Sequence, residues 1–260
     1  MTLIIGIRCT DGLVMVADSM STEAAPLNAG LLTKHETSEK IVAFKDIVWG
    51  ASGSVGIKQL VQHELEKDYN GWFQRNTSAV EFRQKLVKKI QPVLKEQYRL
   101  GSDVLGQPRQ PPLTNFIFGT YLKDGFTLVN IEADCAGEVV EACHCATGSG
   151  QKTGQALLRR LRNQIWDVKT ALVVAYRTMN DAIHVEPMGI GPPIRLARCY
   201  LKNANTIVEK IDNDSAEFKA IADTARIWTE MEQETLNKLK VDGEQKAQPE
   251  VKPIPAPPAA

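Results

Sequence analysis

Position 2 holds threonine directly behind Met1, in a stretch that reads Met-Thr-Leu-Ile-Ile-Gly-Ile-Arg-Cys-Thr-Asp-Gly. A threonine hydroxyl is a poor nucleophile at neutral pH and needs a base beside it. An α-amine, with an ordinary pKa of about 7.7 to 8.0, can serve as that base on the same residue. Thr2 has such an amine only after Met1 leaves, and methionine aminopeptidase tolerates a small second residue, so no autocatalytic cut is needed. The plain alternative is an ordinary Met-Thr start. The other reactive types make weaker patterns. Cys143 and Cys145 flank His144, which makes a zinc pair conceivable, but no second ligand pair stands at zinc spacing. Strand or core cysteine is the better reading, because free cysteine behaves as a small buried hydrophobe. His35, His63, His144 and His184 form no metal or relay pattern, and no metal or cofactor is expected.

Positioning such a terminus requires a fold, and the composition allows one. A chain of 260 residues suits a single α/β domain plus a tail. Lys plus Arg and Asp plus Glu both number 31, so charge favours neither nucleic acid nor an anionic membrane as partner. The odd count of five scattered cysteines argues against a secreted disulfide framework and for a reducing cytosol. The N-terminus lacks a basic region, and its apolar run is too short for a signal peptide or a membrane span. A cytoplasmic protein is expected.

Leu3 to Cys9 and Leu13 to Ala17 flank Thr10-Asp11-Gly12 and predict a β-hairpin. A polar loop from about Ser21 to Glu39 precedes a second hairpin, Ile41 to Phe44 and Ile47 to Ala51. Ile57, Leu60, Val61 and Leu65 then share a helix face, with Ser52 and Ser54 near its start. Ser78 and Glu81 form a capping box for a second helix through Phe82, Leu86, Ile90 and Leu94, with a kink expected at Pro92. Beyond a Gly/Pro-rich loop from Arg99 to Pro112, three strands are predicted at Phe116 to Leu122, Phe126 to Ile131 and Val139 to Thr147. Two helices follow, one opened by Gly148-Ser149-Gly150 and running through Leu157, Leu158 and Leu161, the other capped by Asp167. Ile194 to Leu201 and Thr206 to Ile211 read as a closing hairpin before a last helix from Phe218 to Leu239. Residues 1–240 are expected to form one domain, and 241–260, rich in Pro, Ala, Lys and Glu, a disordered tail. Grouped hairpins predict an α+β fold of antiparallel sheets with helices outside.

The run from Thr2 to Asp18-Ser19 resembles the opening of mature proteasome β subunits, without a gap in the spacing. The resemblance continues through Lys40-Ile-Val-Ala-Phe, Gly50-Ala-Ser-Gly53-Ser and Ala146-Thr-Gly-Ser149-Gly, covering the chain to about Leu239. The lack of a long propeptide, and the length beyond the family's core, are similar to bacterial proteasome homologues, including those described from beta-proteobacteria. Such relatives imply the N-terminal-nucleophile (Ntn) hydrolase fold, a four-layer αββα sandwich of two antiparallel sheets between helical layers.

The resemblance also implies roles. Lys40, otherwise a solvated strand-end charge, would sit beside the threonine hydroxyl and favour its alkoxide-like form, with Lys34 as a rival in the polar loop. Asp18, otherwise a turn carboxylate, would pair with that lysine. Gly53 would donate its N–H to an oxyanion, and Ser149 and Asp181 would orient the Thr2 amine and hydroxyl. Asp181 reads equally well as a helix-end capping residue. Two departures from the family pattern stand out. His184 and Pro187-Met-Gly-Ile-Gly-Pro replace a glycine-rich stretch with a further serine, and Met20 stands where many members carry arginine. Ala51, at the pocket floor, implies room for a sizeable side chain. The implied function is a threonine-type peptide hydrolase acting on peptides or unfolded protein inside stacked homo-oligomeric rings, with or without an ATPase regulator. A small-molecule Ntn amidase and a catalytically silent ring subunit are the alternatives.

Overall fold

A computed structural model describes residues 2–22, 35–105, 113–159, 165–187 and 189–246. The first hairpin forms as expected, β1 (Ile4–Arg8) and β2 (Gly12–Ala17) pairing with Ile4 opposite Ala17. Part of the anticipated polar loop pairs as two short strands, β3 (Met20–Thr22) and β4 (His35–Thr37). The second hairpin is β5 (Ile41–Phe44) and β6 (Ile47–Ser52), turning at Lys45, whose φ is 50°.

Helix α1 (Val55–Glu66) starts where the Ser54 hydroxyl accepts from the Ile57 N–H. A single-turn helix, α2 (Tyr69–Trp72), precedes α3 (Ala79–Leu105). The capping box forms: the Glu81 carboxylate accepts from the Ser78 N–H at 3.0 Å and the Ser78 hydroxyl from the Glu81 N–H at 3.3 Å. The loop expected from Arg99 is helical as far as Leu105. One missing N–H at Pro92 does not end a helix whose Phe82, Leu86, Ile90 and Leu94 are all buried against the sheet.

Strands β7 (Asn115–Leu122) and β8 (Gly125–Ile131) match the sequence reading. The single strand expected from Val139 to Thr147 is instead two, β9 (Gly137–Val139) and β10 (His144–Thr147). They belong to different sheets, β9 on β8 and β10 on β1, so the segment between them crosses from one layer to the other. The remaining elements are α4 (Gln151–Arg159), α5 (Val168–Val185), β11 (Arg195–Lys202), β12 (Asn205–Ile211) and α6 (Ala216–Lys246). The Asp167 carboxylate caps α5 by accepting from the Thr170 N–H at 2.8 Å. Leu161 and residues 247–260 lie outside the described residues. Helix α6 therefore runs six residues past Lys240, the expected end of the domain.

The two five-stranded sheets are antiparallel, ordered β10-β1-β2-β11-β12 and β5-β6-β7-β8-β9. Period-2 alternation sends each face of β1 to a different layer. Leu3, Ile5 and Ile7 pack with Leu158, Leu172, Ala175 and Phe218 of the α4, α5 and α6 layer. Ile4 packs with Met15, Val48, Ile117 and Leu128 between the sheets. Trp49, Phe116 and Phe118 meet Ile57, Val61, Phe82 and Leu86 on the far side. This is the four-layer αββα sandwich. Cys145 lies in the inter-sheet layer, where burial pushes its thiol pKa up to about 12. Among the described residues no helix is long and apolar enough to cross a membrane.

Glycines let the sheets approach where the chain's first strand crosses. A Cβ on Gly6 would stand 3.1 Å from Leu128 Cδ2 and 3.2 Å from Ile117 Cγ2, and one on Gly50 would stand 3.1 Å from Ile4 Cγ2. Gly6→Val is predicted to lower unfolding free energy by about 1–3 kcal/mol through overpacking, read from urea denaturation midpoints.

Candidate active site

The first strand pair ends at Asp18, a fully buried carboxylate. A buried carboxylate is stable only when hydrogen-bonded or paired, and this one is both. Its oxygens accept from the Leu3 N–H at 2.8 Å, the Met20 N–H at 3.1 Å and the Gly191 N–H at 3.3 Å. The Lys40 ammonium donates to both oxygens, at 2.8 and 2.9 Å. Lys40 is 5% exposed, immediately precedes β5, and donates also to the Met20 carbonyl at 2.6 Å. Burial pulls the Lys40 pKa below its ordinary value, while Asp18 works in the opposite direction. The side chain of Met20 is therefore not what serves the lysine; its carbonyl is. Lys34, the rival lysine, lies outside the described residues.

Thr2 is held from the other side by the turn after β10. Its nitrogen donates to the Ser149 hydroxyl at 2.9 Å, and its carbonyl accepts from the Gly150 N–H at 3.1 Å. In the full chain that nitrogen is the Met1–Thr2 amide, standing in for the amine that removal of Met1 would leave. Gly148 has a φ of 98°, and a Cβ there would lie 2.2 Å from the Thr2 carbonyl oxygen, so only glycine lets the turn close on Thr2. Gly53, following β6, has a φ of 115°, and a Cβ there would stand 2.2 Å from the Leu113 carbonyl.

These residues converge on one cavity of about 480 Å³, whose lining includes Thr2, Lys40, Ala51, Gly53 and Ser149. A larger groove, about 650 Å³, lies between α1 and α3 and is lined by neither Thr2 nor its neighbours. Asp18 lies under the cavity, behind Lys40. Asp181 is not among the lining residues: it sits on α5, with its carboxylate 3.7 Å from the Arg177 guanidinium one turn earlier. Sequence reasoning missed Gly191, Glu39 and Lys58. Gly191 belongs to the very stretch noted as a departure from the family pattern, and it closes on Asp18 through its N–H while accepting from the Ser19 N–H at 3.0 Å. Glu39 was visible as the charge beside Lys40; nothing in the sequence marked Lys58, on the first turn of α1.

The proteasome subunit family model matches residues 2–192, nearly three quarters of the chain and all the residues just described. The chain belongs to the proteasome subunit family. Solved structures of the same fold include an Anbu (Gly-1) mutant from Hyphomicrobium sp. strain MC1, at TM-score 0.67 and 16% identity over 92% of this chain and 97% of that one. The helical assembly of the Anbu complex from Pseudomonas aeruginosa matches at TM-score 0.67 and 18% identity over 99% and 98%. Anbu, the ancestral β-subunit, from Yersinia bercovieri matches at TM-score 0.64 and 18% identity over 91% and 97%. No curated protein sequence matches significantly. At these identities the solved structures establish the shared fold, the sandwich found in this proteasome family chain.

Truncation of the two ionic partners should be unequal. Asp18→Ala strands a buried ammonium and also three backbone N–H groups, whereas Lys40→Met leaves the carboxylate with those three donors. Asp18→Ala is predicted to cost about 3–5 kcal/mol, more than Lys40→Met, measured by equilibrium denaturation of both variants at neutral pH.

Proposed function

We propose that the chain hydrolyses amide bonds in peptides or unfolded protein, with Thr2 as the nucleophile once Met1 has been removed. The observation that carries this reading is the placement of the Thr2 nitrogen on Ser149 while the next N–H, of Leu3, rests on the carboxylate that holds Lys40.

The Thr2 Oγ–H transfers its proton to the α-amine as Oγ attacks the substrate carbonyl, forming a tetrahedral oxyanion. The Gly53 N–H stabilises that oxyanion. Collapse expels the peptide amine, which takes the proton from the Thr2 ammonium, and leaves an ester on Oγ. Water then attacks the ester, again with the α-amine as base, and restores the hydroxyl. Lys40 keeps a positive charge near Oγ and near the amine, lowering the cost of both the alkoxide-like species and the neutral base. Asp18 keeps Lys40 in place and charged. Ser149 orients the amine. No step needs Asp181 or a metal.

An uncovered nucleophile of this kind would cleave indiscriminately, so the proposal includes homo-oligomeric assembly that encloses the site, in rings or in a helical stack. The reading places the activity in the cytoplasm and in one domain that continues through α6 to Lys246.

Thr2→Ala should abolish cleavage of fluorogenic peptides with the circular dichroism spectrum unchanged, while Thr2→Ser should retain part of it. Turnover of small amides but not of peptides would instead mark a small-molecule amidase, and Thr2-independent signal a silent subunit. The pH profile carries a second test. The Lys40 ammonium acts only when protonated and its pKa lies below 10.5, so kcat/KM should fall at a pH under the ordinary lysine range. Asp18→Asn removes the interaction that raises that pKa, so its alkaline limb should move further down.

A further inference from the structure

The Thr2 cavity contains a second lysine. Lys58 sits half-buried on the first turn of α1, lines the cavity together with Ala51 and Val55, and donates to the Glu39 carbonyl. The charged residues lining the cavity are Glu39, Lys40 and Lys58, with Asp18 beneath Lys40, so the formal charges balance but the pairing is uneven. Lys40 is matched by Asp18. The Glu39 carboxylate is drawn away by Lys210, at 2.6 Å, and no acidic residue lies in the first turn of α1. Among the described residues the Lys58 ammonium is bonded to a backbone carbonyl and to no carboxylate. Burial and Lys210 lower the Lys58 pKa while Glu39 raises it, so an added carboxylate would relieve an ammonium that the site itself does not fully compensate.

We infer that Lys58 sets the substrate preference of this site, selecting a glutamate or aspartate side chain on the residue whose carbonyl Thr2 attacks. The inference rests on the proposed function and names its substrate class. Gly53 and Thr2 define where the scissile carbonyl lies, and the side chain next to it enters the space over Ala51. Ala51 presents only a methyl group to that space, and the methylenes of a glutamate would run over it past Val55, both of which line the cavity. The carboxylate then reaches the Lys58 ammonium, whose backbone bond to Glu39 occupies one of three donor hydrogens. A basic side chain would meet Lys58 with like charge. A neutral glutamine has the same size as glutamate but gains only a neutral hydrogen bond.

The test compares peptides identical except for Glu, Gln or Lys at that one position, assayed on the purified full chain by kcat/KM. The wild type is expected to favour Glu over Gln by roughly tenfold or more, the scale of a charge-assisted over a neutral hydrogen bond in a partly buried site, and to cleave the Lys peptide least. Lys58→Met keeps the aliphatic stem and should bring the Glu to Gln ratio near one. Lys58→Arg should retain the preference, and Lys58→Glu should invert it toward the Lys peptide. Thr2-dependent turnover with no Glu preference, or with a preference that survives Lys58→Met, overturns the inference and leaves the proposed function standing. Absence of Thr2-dependent turnover on all three peptides overturns both.

Discussion

One carboxylate organises this molecule's chemistry. Asp18 is inaccessible to water, and at that depth an ionised group persists only with a full set of donors. The donors come from four separate parts of the chain: the Leu3 N–H beside the terminus, the Met20 N–H in the following strand, the Lys40 ammonium at the start of β5 and the Gly191 N–H after α5. Each depends on a different piece of the fold being in register. The same interaction that satisfies a buried charge therefore fixes the distance between the chain's beginning and its buried lysine.

The sandwich makes that convergence rigid. Thr2 is anchored twice over, by β1 pairing with both β2 and β10 and by the Gly148–Gly150 turn closing on its carbonyl. Lys40 and Gly53 come from the opposite sheet, at either end of the β5–β6 hairpin. The cavity thus lies across the seam of the two sheets, and its geometry is only as good as the inter-sheet packing at Gly6, Gly50 and Leu128. Removing packing precision there would loosen the site, directly at Gly50, which packs against the Lys40 carbonyl, and at a distance from Gly6 and Leu128.

What could be read from the sequence was chiefly local. The first hairpin, the Ser78–Glu81 box and the Asp167 cap depend on neighbours within a few residues, and all three form. The split between β9 and β10 was hidden because the two pieces, of three and four residues, are too short to show a period of their own, and only pairing partners elsewhere in the chain assign them to different sheets. The last part of α3, from Arg99 to Leu105, was hidden because its Gly-containing sequence reads as loop, whereas Arg99 pairs along the helix with Glu96 and Asp103. In the site, Asp18, Lys40, Gly53 and Ser149 were named by resemblance in order and spacing, not by their own chemistry; Lys40, Gly53 and Ser149 line the cavity with Thr2, and Asp18 lies behind Lys40. Asp181 rested on the same resemblance, with a helix-end cap as the alternative; it stands inside α5, away from the cavity lining, with its carboxylate 3.7 Å from the Arg177 guanidinium. Lys58 had no local signal at all: it matters because α1 returns its first turn to the segment before Lys40. The Met20 carbonyl and the Gly191 N–H were equally invisible, since backbone groups carry no sequence signature.

The central claim is that Thr2 becomes a free terminus whose hydroxyl and amine act together beside Lys40. Intact mass spectrometry after incubation with a peptide epoxyketone or a β-lactone tests it most directly. The account predicts a chain lacking Met1 that gains a single adduct, mapped to Thr2 and abolished in Thr2→Ala. A chain that retains Met1 and gains no adduct, or an adduct unaffected by Thr2→Ala, would contradict it.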